Sequence, residues 1–208
     1  MFKDFLTFIR EAKDGVHHVL AFGRMNPPTA GHEQVVNQLH KTAEEVKGGH
    51  TLVLSGTHGT KDGKNPLTPE QKLKHAQRAF PDTHIKVADS DSPTILHTAS
   101  NLHKDGVTHL HFVGGSDRKP MHELLQKYNG VKGKHGYYKF KDIKFHNAGD
   151  RDEKADTSST SGISGTKLRQ HVADNNKEKF HAALSSKMSD QHKNELWNDL
   201  RKAGGHND

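Results

Sequence analysis

The chain contains no cysteine. That excludes disulfides, thiolate zinc sites and a cysteine nucleophile, and it suits a reducing compartment. Hydrophobic residues are scarce, at 30% of 208 positions, and aromatics make up only 6%, with a single tryptophan. Mean hydropathy is -0.92. The core is therefore modest, sized for one sheet with helices around it. No run reaches the roughly 18 apolar residues of a membrane span, so no membrane partner is expected. Charges throughout residues 1–15 leave no room for a secretory signal. The 19 histidines are mostly scattered singly, as at His40, His75, His84 and His103, and read as solvated surface. No His-Glu-x-x-His spacing or paired histidine ladder marks a metal site, so none is expected.

What the chain does hold is an excess of positive charge. Lys and Arg number 31 against 25 Asp and Glu, for a formal net charge of +6. Such a chain attracts nucleic acid, nucleotides or other phosphorylated ligands. No helix-turn-helix or zinc-finger pattern is present, and the basic residues are spread out, which argues against sequence-specific DNA binding.

Short apolar strands alternate with helical stretches. Residues 1–13 give a short amphipathic helix, with Phe2, Phe5, Leu6 and Ile9 on one face. The strand "HHVLAFG" follows, then a helix over 30–47 with Val35, Val36 and Leu39 inward. The strand "HTLVLSG" leads through a Gly- and Lys-rich loop to a helix capped by Thr68, with Pro69 at its first position. Further strands are expected in "HIKVAD" and "THLHFVGG", with helices over 92–106 and 118–130. Residues 137–149 read as a strand or a hairpin, and 150–162 as a mobile loop. A helix capped by Ser164 and a last helix over 189–203 complete the chain. Continuous apolar strands separated by helices predict a doubly wound α/β fold with a parallel sheet. The expected organisation is a leader or helix over 1–15, a main domain over 16–175 and a helical extension over 176–208. Ligands in such folds bind beyond the carboxyl ends of the strands, here after Phe22, Leu54 and Val113.

The turn after the first strand, within "AFGRMNPPTAGHEQVV", carries the strongest chemical signal. Gly23 allows close backbone approach, Pro27 and Pro28 fix the path, and Gly31 leaves room at the helix start. A helix N-terminus presents unpaired N–H groups and a positive dipole end, which suit a phosphate. His32 would sit at that phosphate with its ring N–H groups as donors, and Arg24 adds a permanent charge. A second anion site is predicted in "ISGTKLR", from Ser164, Thr166 and Arg169. A third element, "GKNPLTPEQKLKHAQRAF", leads into a helix bearing Lys72, Lys74 and Arg78. In a fourth, "FVGGSDR", Gly114 and Gly115 precede Asp117 and Arg118. There a nucleotide could lie on the backbone, with Asp117 near its ribose or base.

With these motifs in this order, residues 17–172 resemble the nucleotidylyltransferase superfamily, whose members carry GxFxPxHxGH and ISxTxxR motifs. The pattern is most similar to nicotinamide-mononucleotide adenylyltransferases, which begin GRFxPxHxGH and carry an NPxTxxER segment that "KNPLTPEQ" half matches. The resemblance implies a Rossmann-like fold and in-line attack of an acceptor phosphate on the α-phosphate of ATP or another NTP, with pyrophosphate leaving. It implies that His32 meets the α- or β-phosphate, assisted by Arg24. Ser164, Thr166 and Arg169 would hold the triphosphate, and Gly115 and Asp117 would line the nucleotide site. Mg²⁺ would be bound through the phosphates. Thr29 stands where relatives have the first histidine of HxGH, and its hydroxyl is expected to donate to a phosphate. Met25 replaces an aromatic, and Gln71 departs from the Glu or Arg of relatives.

The acceptor stays open. Nicotinamide or nicotinate mononucleotide leads, with cytidylyl or adenylyl transfer to another phosphorylated small molecule as the alternative. Relatives form dimers to hexamers, which implies a homo-oligomer. Residues 2–12, "FKDFLTFIREA", resemble the leaders of proteins packaged in tailed-phage heads, with Ile9-Arg10-Glu11 as the cut site. The competing reading is an ordinary docked helix. The leader reading implies phage origin and a protein of the host cytoplasm or head interior. It also keeps a non-catalytic, nucleotide- or DNA-binding virion component in view.

Overall fold

The computed structural model describes residues 15–61, 63–149 and 163–205. Its centre is a five-stranded, all-parallel sheet in the order β3-β2-β1-β4-β5. The strands are β1 (His17–Gly23), β2 (Gly49–Leu54), β3 (Ile85–Val87), β4 (His109–Gly114) and β5 (Asp142–Asn147). Helices α1 (Glu33–Val46), α2 (Pro69–Ala79), α3 (Ile95–Lys104) and α4 (Lys119–Lys127) connect them. Then come α5 (Gly165–Ala173), α6 (Lys177–Ala182) and α7 (Asp190–Ala203). This is the doubly wound, Rossmann-like α/β fold expected from the strand-helix alternation. The sequence readings of 1–13 and 150–162, and the Ile9-Arg10-Glu11 leader, fall outside the described residues. Among the described residues no helix is long and apolar enough to cross a membrane.

Side chains along a strand alternate between faces, and each face of this sheet has its own core. Val19, Ala21, Leu52, Leu54 and Val113 pack with Val36 and Leu39 of α1, Ala76 of α2 and the last three helices. Leu20, Val53, Leu110 and Phe112 pack on the other face with Ile95 and Ala99 of α3 and Leu125 of α4. Burial on both faces explains why the central strands read as unbroken apolar runs. Phe180, Leu196, Trp197 and Leu200 join the first of these cores, so α6 and α7 close that face. Phe180 is fully buried and meets Trp197 edge-on at 5.1 Å between ring centroids. Phe180→Ala is therefore expected to cost about 3–5 kcal/mol. Urea unfolding of the variant checks this; a loss below about 1 kcal/mol would mean that α6 contributes little to the core.

One element matches an alternative of the sequence reading and one was not foreseen. Of the strand or hairpin expected over 137–149, the strand forms: β5 is a single parallel edge strand. The apolar residues before it, Tyr138 and Phe140, are buried in the second core instead, and the Tyr138 hydroxyl donates to the Leu125 carbonyl at 2.8 Å. The short α6 was not expected; Asn176 caps it by accepting from the Lys179 N–H at 3.1 Å.

Some histidines depart from expectation. His75 and His111 are buried, at 0% and 3% exposure. His75 Nε2 lies 2.7 Å from Asp199 of α7. The His40 ring is half-buried and edge-on to His50, whereas His84 is exposed, as expected, with Nδ1 3.3 Å from Thr51 Oγ1. In a chain so poor in hydrophobic residues, imidazoles fill interior and rim positions and bond to one another there.

Candidate functional site

Strand order reverses direction at β1: β2 and β3 extend to one side of it, β4 and β5 to the other. Helices α1 and α4 leave from opposite faces, so a crevice opens beyond the carboxyl ends of β1 and β4. One cleft fills that crevice. Of the residues singled out from sequence, Gly23, Arg24, Gly31, His32, Gly115, Asp117, Ser164, Thr166 and Arg169 all line it. Three stretches of chain far apart in sequence thus converge on one place.

Local chemistry explains how each is held. The 3-10 turn Ala30–His32 leads straight into α1, so His32 stands at the very start of that helix. Its Nδ1 lies 3.0 Å from the Thr29 backbone N–H. An amide N–H can only donate, so Nδ1 is the acceptor, and the neutral ring carries its proton on Nε2. The expectation of two ring donors at a phosphate is thus reduced to one, Nε2–H. Thr29 does not line the cleft. It is 1% exposed, and its one hydroxyl proton lies between two protein acceptors, Ile163 O at 3.1 Å and His32 Nδ1 at 2.8 Å. Thr29 orients the histidine and ties the first turn to the segment before α5. The structure does not place it as a phosphate donor.

Ser164 caps α5 by accepting from the Lys167 N–H at 3.2 Å, as its sequence position predicts. Arg169 Nη2 donates to Thr166 Oγ1 at 3.1 Å, and Nη1 donates to the Asn26 carbonyl at 2.6 Å. Gly165 makes that approach feasible, because a Cβ there would stand 3.3 Å from both Asn26 O and Arg169 Nη1. At Gly115 a Cβ would lie 2.9 Å from Asp117 Oδ1, so a larger residue there would displace the Asp117 carboxylate.

Asn26 was missed from the sequence. It is buried at 4% exposure. Its side chain donates to the Leu67 carbonyl at 3.3 Å and accepts from the Leu67 N–H at 3.1 Å. One residue therefore joins the first turn, the Asn65–Thr68 segment and α5. The only forewarning was its place inside the proline-rich turn. Lys64 and Arg118 also line the cleft, and Arg118 Nε lies 3.5 Å from Asp117.

The cations on α2 do not reach the cleft. Lys72 is fully buried and donates to the carbonyls of Ser55 and Thr57, which fixes the loop after β2. Burial pushes its ammonium below the ordinary lysine range. Lys74 and Arg78 pair instead with Glu195 of α7.

Among the described residues the cleft wall carries four permanent cations, Arg24, Lys64, Arg118 and Arg169, against one carboxylate, Asp117. With the start of α1 and the hydroxyls of Ser164 and Thr166, it is built to receive a polyanion. Among the described residues no three His, Asp or Glu side chains converge as a metal set. Compared with known proteins, the chain matches no family model and no curated sequence.

Proposed function

We propose that the protein is a nucleotidyltransferase. It moves AMP from ATP to a phosphorylated acceptor, foremost nicotinamide or nicotinate mononucleotide, and releases pyrophosphate. The observation that carries this reading is the convergence of Arg24, His32, Ser164, Thr166 and Arg169 on one cationic cleft at the β1/β4 crevice. That set joins the two motifs that resemble those of nucleotidylyltransferases, and they lie more than a hundred residues apart.

In this reading an acceptor phosphate oxygen attacks the α-phosphorus in line, and the bond to the β-phosphate bridging oxygen breaks. No covalent enzyme intermediate forms, and the protein contributes positioning and charge stabilisation. His32 Nε2–H donates to the phosphate oxygen on which charge builds. Arg169, Ser164 and Thr166 hold the leaving pyrophosphate, and Arg24 adds charge at the mouth. Among the described residues Asp117 is the one carboxylate of the cleft, so a Mg²⁺ entering with the triphosphate would be bound through the phosphates and would neutralise their charge.

The test is pyrophosphate release with Mg²⁺, crossing ATP and CTP with a panel of phosphorylated acceptors. Release with ATP and a pyridine mononucleotide is expected. Release only with CTP or with another acceptor would move the assignment within the same chemistry. Nucleotide binding without turnover across the panel would favour a binding protein.

Arg169→Ala separates the roles further. Losing a charged hydrogen bond to phosphate costs about 1.5–3 kcal/mol, so the KM for the triphosphate should rise roughly ten- to a hundredfold. An unchanged KM would remove Arg169 from the site.

A further inference from the structure

Away from the cleft's phosphate-facing wall, three imidazoles join β1, β4 and β5. His17 Nδ1 lies 2.9 Å from His111 Nε2, and His111 Nδ1 lies 2.9 Å from His146 Nε2. His109 stacks on His17 at 4.4 Å between centroids. The central ring, His111, is 3% exposed, and both of its nitrogens face another imidazole.

Proton counting constrains this row. An N···N contact of hydrogen-bond length needs one proton between the two atoms: none leaves two lone pairs opposed, and two set N–H against N–H. The four facing nitrogens therefore hold two protons, whatever the outer nitrogens contact. Three neutral rings carry three protons in all, so the third sits on an outer nitrogen, His17 Nε2 or His146 Nδ1. The tautomers of the three rings are thus locked together, and one cannot flip alone. If both contacts are kept, a single added proton has only the other outer position to take. A second added proton has only facing positions left and must break a contact.

We propose that His17, His111 and His146 form a proton-binding site of capacity one, which couples β1 to β5 and parts when a second proton binds. The groups facing it are His17 of β1, His109 of β4, Asp142, Lys144 and His146 of β5, Lys141 just before β5, and Glu45 of α1. Asp142 and Glu45 favour the extra proton; Lys141 and Lys144 oppose it. Burial, then the neighbouring imidazoles and Lys144, hold His111 down to about 4, and burial also lowers His146. The row sits beside the cleft: β4 and β5 run from His111 and His146 into Gly114, Ala148 and Gly149, which line the cleft, and the Ala148 N–H donates to the Gly114 carbonyl at 2.9 Å. Loss of the His111–His146 contact removes a side-chain tie between β4 and β5 beside that wall, with the backbone ladder from His109–Asp142 to Gly114–Asn147 still in place.

Ring-¹⁵N-histidine spectra of the whole protein, recorded from pH 8 to pH 3.5 with backbone amides followed in parallel, test this. The three rings are expected to share one titration of a single proton. A second step should then coincide with shifts of the Ala148 and Gly149 amides. His111→Gln keeps one donor and one acceptor but cannot ionise, and it should abolish the shared step. Independent midpoints for the three rings would overturn the proposal, and so would three charged rings with the β5 amides unmoved. None of these readouts depends on catalysis, so failure here is distinct from failure of the transferase reading.

Discussion

His32→Ala should lower turnover by about two to three orders of magnitude while leaving the affinity for Mg·ATP close to unchanged. The range is that found when one preorganised donor to a developing oxyanion is removed. The preorganisation is visible in the structure. The Thr29 N–H fixes Nδ1 as an acceptor, so Nε2 keeps its proton, and the start of α1 fixes where the ring stands. A donor already aimed at the position of growing charge needs no reorganisation during the reaction. Steady-state kinetics with calorimetric ATP titration separates the effects. Equal losses in kcat and in binding would make His32 a ground-state contact. Thr29→Val should cost less, because the backbone N–H that sets the tautomer survives. Its loss should appear in kcat, with the KM for ATP unmoved, since Thr29 touches the ring and lies outside the cleft lining.

Acid should unfold this protein earlier than its carboxylates alone would dictate. His18 and His111 are each held down to about 4. For His18 the causes are burial first, then the charges of His50, His84 and Lys86. In the unfolded chain both rings take up protons near pH 6.5. Between these values the unfolded state binds more protons than the folded state, so stability falls as pH falls. The two rings together contribute a slope of at most about 3 kcal/mol per pH unit, reduced where solvent reaches His18. His50, His75, His109 and His146 are lowered as well, with burial as the leading cause. Glu70 and Glu195 are also lowered, but carboxylates so placed cost stability only below about pH 4.5. Urea midpoints from pH 7.5 to pH 4.5 should therefore drop steeply between pH 6.5 and pH 4.5. A flat profile across that interval would mean that the buried imidazoles accept protons in place.

The fold was legible because its signals are local. Unbroken runs such as Val19–Phe22 and Leu52–Leu54 announce strands buried on both faces. The Thr68/Gln71 capping box and the Ser164 cap announce two helix starts, and both caps form. Nine of the chosen site residues meet in one cleft because both motifs end at helix starts on the carboxyl edge of the sheet. The rest turns on partners distant in sequence. Nothing near Thr29 says that its hydroxyl is committed to Ile163. Nothing near Lys72 says that its ammonium turns inward to two carbonyls, while Arg78 goes to a helix 117 positions away. The histidines misled for the same reason: His17, His111 and His146 look solitary until β1, β4 and β5 align them.

The contacts Thr29–Ile163 and Asn26–Arg169 span 134 and 143 positions, and this has a consequence for timing during synthesis. A ribosome adds about 5–20 residues per second, so the first half of the cleft waits roughly 7–30 s for its second half. Until Arg169 has emerged, a nascent chain presents the glycine-rich turn and His32 without the guanidinium that closes them. Closure of the cleft thus waits for synthesis of the second motif. A chain stalled before Arg169 displays half a cradle.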